Sequence, residues 1–427
     1  MSRGNRLLIA ATCAMVLASG NPASAAPGDF DPTFGRQGKV RIRISNGRDW
    51  ARAVVVQPDG KIVAVGASQA KHPSDEDLDV AVVRLLPDGA IDSSFGSGGT
   101  VRIGVPRHTE FGEAVALQPD GRIVIAGTTY PGPSLARFVV ARLNPDGSLD
   151  RRFARTGIVK TSFPATPRFG GSASAYAVLV AADGTIVVGG AAGPGAWALA
   201  RYRPDGQLDR TFGRRGRATI AGTIGRLHGI AEQADGAIVA GGESFDRFTV
   251  GRVLRNGRLD PTFGDGGIAA TPFGEHSGYV GGLALTSDGK IVAAGTVESG
   301  RAFSDPVVAR YLADGRLDPS FGSGGSVRTQ VTPDPDYGEA VLVHPDGRIL
   351  VAGYTEAGSE LFVLARYLSD GRLDPSFGRG GLAGRRISGY GAAASGVALQ
   401  GLDRVIAAGV AFDRGDGLDV AIARFEY

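Results

Sequence analysis

The chain has little of what most chemistry requires. Among 427 residues there are one cysteine, five histidines and two tryptophans. The cysteine is Cys13, inside an apolar N-terminal stretch, so the rest of the chain has no thiol, disulfide or cysteine metal cluster. No G-x-S-x-G elbow, H-E-x-x-H pair or Walker loop occurs. Pieces such as Gly98-Gly99 are followed by no helical pattern, so they are not dinucleotide fingerprints. An excess of one charge is missing too. The formal charge is +3, and Arg3 and Arg6 account for two of it, leaving +1 beyond residue 25. Net charge therefore gives no reason to expect a nucleic-acid partner. Apart from Leu7 to Ala18, no apolar run approaches the length of a membrane span, and that run is itself too short.

Residues 1–25 read as a signal peptide. Arg3 and Arg6 give the positive start, Leu7 to Ala18 the apolar segment, and Ala23-Ser24-Ala25 a small-x-small cleavage site. Ala10-Ala11-Thr12 lacks the aliphatic residue expected ahead of a lipidated cysteine. The expectation is an unlipidated monomer, secreted or periplasmic, with 26–427 as a single domain.

What the chain does have is glycine, 67 of 427, and repetition. The stretch from Ala114 to Gly157 returns near Arg52, Tyr176, His228, Gly282, Glu339 and Ser395, seven copies with a period of about sixty residues. Each copy holds Pro-Asp-Gly or a variant between two apolar runs, as at Asp59, Asp120, Asp183, Asp235, Asp288 and Asp346; the last copy departs, with Gly401-Leu402-Asp403. Proline presets φ, the aspartate bonds its own backbone, and glycine takes positive φ, so this is a tight turn. A third apolar run ends in arginine: Arg84, Arg142, Arg201, Arg252, Arg310, Arg366 and Arg424. The signature Asp-x-x-Phe-Gly and a short alternating segment complete the copy.

Four short strands per copy, called A to D from the Val115 type onward, make a flat open sheet implausible. Radial repetition removes the edges, and the fold expected is all-β: a seven-bladed propeller of four-stranded antiparallel blades. The phase of the ends supports closure. The chain beyond residue 25 opens with a D-type segment, Lys39 to Ile44, and ends on a C-type segment, Val420 to Phe425. The N-terminal segment should therefore complete blade seven. A parallel β-helix is the alternative.

The paired motifs, Asp-x-x-Phe-Gly-x-Gly-Gly and Pro-Asp-Gly-x-Ile-Val-x-x-Gly, resemble the delta-60 repeats of exported bacterial proteins over nearly all of 29–425. Phe153-Ala154 and Gly401-Leu402 depart from the pattern. The resemblance implies a propeller-like fold and supplies no catalytic residues.

Residues present in every copy serve the blade. The recurring arginine and the leading aspartate, Arg142 and Asp150 in one copy, are expected to pair, because a partly buried charge needs a partner. Phe153 and its equivalents are expected to plug the gaps between blades. The Asp-Gly pairs lack the further acidic ligands of a calcium loop. The histidines His72, His108, His228, His276 and His344 fall at differing offsets, and His344, before a turn, is expected to face solvent.

Function is expected on the face of variable B-to-C and D-to-A loops. Four aromatics lie nine residues before the hairpin aspartate: Trp50, Phe111, Tyr279 and Tyr337. They are candidates to ring the channel mouth and hold a glycan, envelope component or protein. The reading is an extracytoplasmic binding or interaction module with no resident cofactor. The alternatives are an exported propeller enzyme (a polysaccharide lyase, hydrolase or quinone-dependent dehydrogenase) or a structural envelope protein. At the seam, Asp75, Glu76, Asp77 and Asp79 of blade one and Asp413, Asp416 and Asp419 of blade seven should come together, with Lys71 and Arg414 as the nearest opposite charges. Asp75, Asp77, Asp413 and Asp416 are the candidate calcium ligands.

Overall fold

A computed structural model describes residues 25–69, 77–104, 108–132, 135–164, 171–193, 195–220, 222–273, 277–298, 304–357, 361–413 and 417–427. The proposed signal peptide lies outside this set except for Ala25. So do Lys71, His72, Asp75, Glu76, His276, Arg414 and Asp416. The described residues form seven four-stranded sheets in which neighbouring strands follow one another in the chain, and they contain no helix. Blades one to six span 49–103, 109–161, 173–220, 227–271, 277–328 and 336–385. The A strands contact each other around the ring, blade seven against blade one included, so they line the axis.

Blade seven is closed as expected. Lys39–Ile42 pairs antiparallel with Leu418–Glu426, Val40 opposite Ile422, beside Arg404–Phe412 and Ala392–Gln400. Residues just before it strengthen the seam. The Asp31 N–H donates to Arg424 O at 3.0 Å and the Gly28 N–H to Glu426 O at 2.9 Å.

The turn chemistry follows the sequence. The Asp59, Asp120, Asp183, Asp235 and Asp346 carboxylates each accept the N–H two residues on, and Gly60, Gly121, Gly184, Gly236 and Gly347 take positive φ. His344 differs from expectation. It is buried: its Nε2 lies 3.0 Å from Leu402 O, and its ring stacks on Tyr427 at 4.2 Å. Burying that imidazole against the last residue's ring gains more apolar contact than the turn surface offers.

All seven arginines meet their aspartates: Arg84–Asp92, Arg142–Asp150, Arg201–Asp209, Arg252–Asp260, Arg310–Asp318, Arg366–Asp374 and Arg424–Asp31. The same guanidinium also reaches forward. Arg142 Nη1 donates to Pro204 O of the next blade at 2.6 Å, Arg201 Nη1 to Arg255 O at 2.7 Å, and Arg424 Nη1 to Pro87 O at 2.6 Å. It lies over the signature phenylalanine, 4.3 Å from ring centre for Arg84 and Phe95 and 4.7 Å for Arg142 and Phe153. Phe34, Phe95, Phe153, Phe212, Phe263, Phe321 and Phe377 are buried. Each is a plug between blades: Phe95, for example, packs with Val63 and Val82 of its own blade and Ile123 and Leu143 of the next. The N–H after the phenylalanine adds a backbone link to the next blade, as from Gly96 to Asp146 O and from Gly213 to Asn256 O, both 2.8 Å. In blade six the acceptor is Pro27 O at 2.7 Å, so the leading residues stand in for the C-to-D turn that blade seven lacks.

The seven aspartates are all held below the usual carboxylate range. In six of them burial is the largest influence and acts upward, but hydroxyl and amide donors and the arginine outweigh it. Folded pKa values below the unfolded ones mean stability that is present above about pH 4 and lost as pH falls through them. Replacing Arg142 by alanine leaves Asp150 short of its main partner and the Pro204 carbonyl without its donor. The expected cost is about 1–3 kcal/mol, read by denaturant unfolding. An Arg142→Ala midpoint equal to wild type would show that the pair does not hold the blades together.

Candidate functional site

Every A strand carries a β-bulge, and always at one place. The register with strand B slips between Ala51 and Ala53, Gly112 and Ala114, Ala175 and Ala177, Leu227 and Gly229, Val280 and Gly282, Gly338 and Ala340, and Ala394 and Gly396. The skipped residues are Arg52, Glu113, Tyr176, His228, Gly281, Glu339 and Ser395. A bulge re-aims its extra residue, and here all seven line one central cavity of about 620 Å³.

The last glycine of the hairpin motif is what permits the bulge. A Cβ on Gly66, Gly127, Gly190, Gly242, Gly295, Gly353 or Gly409 would lie 1.8–2.0 Å from a carbonyl oxygen of the bulged strand. No side chain fits there, so the motif's glycine answers a close backbone approach. The inner strands also crowd one another. A Cβ on Gly282 would meet Val341 N at 3.0 Å, and one on Gly396 would meet Ala53 Cα at 3.1 Å.

The ring of bulge residues mixes charges and rings. Arg52 Nε lies 3.9 Å from Glu113 Oε2. The Tyr176 ring is 5.4 Å from His228, which is 6.1 Å from Tyr279. The Tyr279 hydroxyl reaches across Gly281's place in the ring and donates to Glu339 Oε1 at 2.9 Å. Arg226 lies 5.8 Å from the Tyr176 ring centre and, among the described residues, forms no salt bridge.

Burial pushes the Glu113 and Glu339 carboxyls up, against the pull of Arg52 on both, of Arg226 on Glu113 and of the Tyr279 hydroxyl on Glu339. Burial, with Arg226 and Arg52 nearby, pushes His228 down to about 4. His228 is therefore a neutral imidazole at physiological pH.

A second cavity of about 420 Å³ adjoins the first and shares Tyr176, Arg226 and Glu243 with it. It exists because the loops of blades three and four are short. Phe245 and Asp246, with φ of 51° and 58°, make a two-residue hairpin turn between Ile238–Ser244 and Arg247–Val253. Exposed Ile224 lines this opening.

The four aromatics singled out in the sequence are not gathered in one wall. Tyr279 lines the central cavity. Trp50 and Phe111 lie 6.2 Å apart across the boundary of blades one and two, and Phe111 packs edge-on to Tyr130. Tyr337 stacks on Tyr354 of its own blade at 4.6 Å, and its hydroxyl bonds Glu356 at 3.2 Å. At the seam, Asp75 and Asp416 lie outside the described residues. Asp413 and Asp419 are bound by arginines of the closing strand region: Arg43 to Asp413 at 3.0 Å and to Asp419 at 3.1 Å, and Arg41 to Asp419 at 2.5 Å. Asp79 is paired with Arg102 at 2.7 Å. The expected Lys71 and Arg414 lie outside the described residues, among which the charges that answer the seam are thus Arg41, Arg43 and Arg102. They come from D-type segments, whose ends reach the loop face. Among the described residues no group of three or more His, Asp or Glu is arranged to hold a metal.

The repeat matches a known family model. It is a domain of unknown function (DUF5122) beta-propeller, matched at residues 57–95, 118–153, 181–212, 233–263, 286–321 and 344–377. The seventh copy, where Gly401-Leu402 replaces the usual turn, is not matched. No curated protein matches the chain. Among solved structures, an unknown-function protein from Dyadobacter fermentans is 13% identical with a TM-score of 0.45, covering 91% of this chain and 99% of its own. A PL25 ulvan lyase is 12% identical with a TM-score of 0.49, covering 91% and 95%. The PQQ-bound aldose sugar dehydrogenase of Streptomyces coelicolor is 12% identical with a TM-score of 0.39, covering 94% and 100%. At these values the likenesses carry no functional argument.

Two tests bear on the geometry. Gly127→Ala places a Cβ against the Phe111 carbonyl, so the bulge must shift, at an expected cost of about 1–3 kcal/mol in unfolding free energy. The His228 pKa, depressed below the unfolded 6.5, means the unfolded chain takes up a proton that the native state refuses. Its contribution favours folding above about pH 6.5 and is lost as pH falls towards 4. The raised carboxyls Glu113 and Glu339 act in the opposite sense at higher pH, so the comparison is made between variants. The stability of His228→Asn should fall less than that of wild type between pH 6.5 and 4, and the wild-type His228 ring resonances should not titrate above pH 5.

Proposed function

We propose that the protein is an exported binding module that holds a segment of hydroxyl-rich glycan at the mouth of its central channel. One observation carries this reading. In a chain whose repeats keep their turns, arginines, aspartates and phenylalanines, the bulge column reads Arg, Glu, Tyr, His, Gly, Glu, Ser. Residues that serve the fold recur from blade to blade, and these do not. They are the residues that line the cavity.

The chemistry suits sugar. Tyr176, His228 and Tyr279 form an arc of rings over three blades, and such faces stack on the apolar side of a pyranose. Arg52, Arg226, Glu113 and Glu339 alternate donors and acceptors around it without a large excess of either sign. The second cavity gives a polymer a path outward over blades three and four. We also read the copies as delta-60 repeats, a finer assignment than the matched family.

The test is a glycan array, with hits followed by calorimetry. Tyr176→Ala/Arg226→Ala should weaken binding by about tenfold or more while leaving the fold intact, since it removes a stacking face and a charged donor. The Trp50→Ala/Tyr337→Ala pair tests separately whether the outer aromatics take part. Wild-type affinity in the Tyr176/Arg226 variant would remove the channel from the reading.

A second reading is favoured by one feature. His228 is an unprotonated base beside Tyr176, with Arg226 and Arg52 available for a carboxylate. In that set His228 would take the proton α to a uronate carboxylate, a carbon–carbon double bond would form to the β carbon, and the departing glycosidic oxygen would take a proton from the Tyr176 hydroxyl. Incubation with uronate polymers, followed by detection of unsaturated chain ends, separates a lyase from a binder. Loss of product in His228→Asn with ligand binding retained is the outcome expected of an enzyme.

A further inference from the structure

We infer a second binding site, on the outer rim between blades two and three, that takes an acidic polysaccharide through unpaired arginines. The site is a groove of about 700 Å³ lined by Arg152, Arg155 and Lys160 of blade two and by Asp205, Leu208 and Arg217 of blade three; its one carboxylate, Asp205, is taken up by Arg203 at 3.1 Å. It lies along the outermost strand of blade two, Ile158–Thr161, at the far side of the sheet from the channel.

The first observation is electrostatic. This molecule ties its arginines down, each recurring one to an aspartate. Yet among the described residues Arg152 and Arg155, both exposed in the groove, form no ion pair and no side-chain hydrogen bond. Lys160 has only Glu110, at 3.7 Å, and Arg217 gives Nη1 to Ser162 O at 2.8 Å while its buried Nε has no partner. Cations held together without counterions repel one another, and an anion removes that cost.

The second observation is independent: Arg152 replaces a residue that the fold uses. In six blades the residue two after the signature aspartate is Ser or Thr, and its hydroxyl donates back to that aspartate at 2.5–2.7 Å: Thr33, Ser94, Thr211, Thr262, Ser320 and Ser376. Blade two has Arg152 there and forgoes the bond. Arg155 in the same turn sits in the left-handed region, with φ 65°, a conformation that favours glycine. Both departures put exposed positive charge in the groove, and such departures mark functional surface.

The chemistry selects the partner. Guanidinium forks bind carboxylate and sulfate in a bidentate manner. A groove between blades suits a narrow extended chain. None of the large exposed apolar side chains lies in 150–160 or 203–217, which leaves nothing to insert into a lipid surface or to stack on unpaired bases.

The test uses the full chain with heparin, neutral dextran, duplex DNA and phosphatidylglycerol vesicles as probes. The variant is Arg152→Ser/Arg155→Gly, in which the first change restores what other copies carry and the second relieves a left-handed backbone. Heparin should bind wild type with an affinity that falls as salt rises, dextran should not bind, and the double variant should lose at least about tenfold in affinity while melting at or above wild type. Undiminished heparin binding by the double variant overturns the site. A lower melting temperature for it overturns the claim that these arginines are kept against the fold's preference. Equal or tighter binding of DNA or vesicles overturns the assignment to polysaccharide.

Discussion

One guanidinium per blade sets the order of this ring. It closes on the aspartate of its own C-to-D connection, reaches a carbonyl of the next blade, and covers the phenylalanine between them. A planar group with donors on several edges can do all three; a lysine could not. Where the pattern relaxes, the surroundings explain it. Arg252 turns toward Gln233 and Asp235 of its own hairpin, and Arg366, beside the seam, has its Nη1 unbonded among the described residues and lies 4.9 Å from the Tyr427 ring. This layer fixes the turn face, and the opposite face is left free to vary in loop length and in side chains.

The bulge divides labour in the same way inside each A strand. Around it the backbone is uniform: a glycine across the ladder, small residues packed on the neighbouring blade, one register slip. The single residue it turns toward the axis is not fixed by the repeat, though at Gly281 the backbone of Glu339 leaves no room for a side chain. Equivalent positions can therefore carry different side chains, and a polar cavity is assembled on uniform blades.

The fold was legible because its cues are residue types at fixed offsets. Pro-Asp-Gly turns, the Arg–Asp–Phe set and the D-type segment at the start each specify a local geometry, and these agree with one another. The channel was harder to read. Aromatics such as Trp50 and Tyr337 stand out by chemistry, while the bulge column two positions later stands out only by failing to repeat. The signal was nonetheless present in the hairpin's last glycine. Gly127 and its equivalents have no positive φ to explain them, so their recurrence pointed to a close backbone approach, and hence to a bulge. The burial of His344 depends on where Tyr427 lands, which no local pattern carries.

Closure by the N-terminal strand also governs how such a chain must fold. Arg43 and Asp419, bonded at the seam, are 376 residues apart in sequence. Blades one to six can form from local contacts as the chain lengthens, but Lys39–Ile42 has nothing to pair with until Leu418–Glu426 exists. The loop closed at that moment is nearly the whole protein, and its entropy must be met in one late step. Once made, the seam works in reverse: no blade can leave the ring without opening it or tearing the layer of inter-blade bonds. The topology that delays completion is then the one that makes loss of the native state slow.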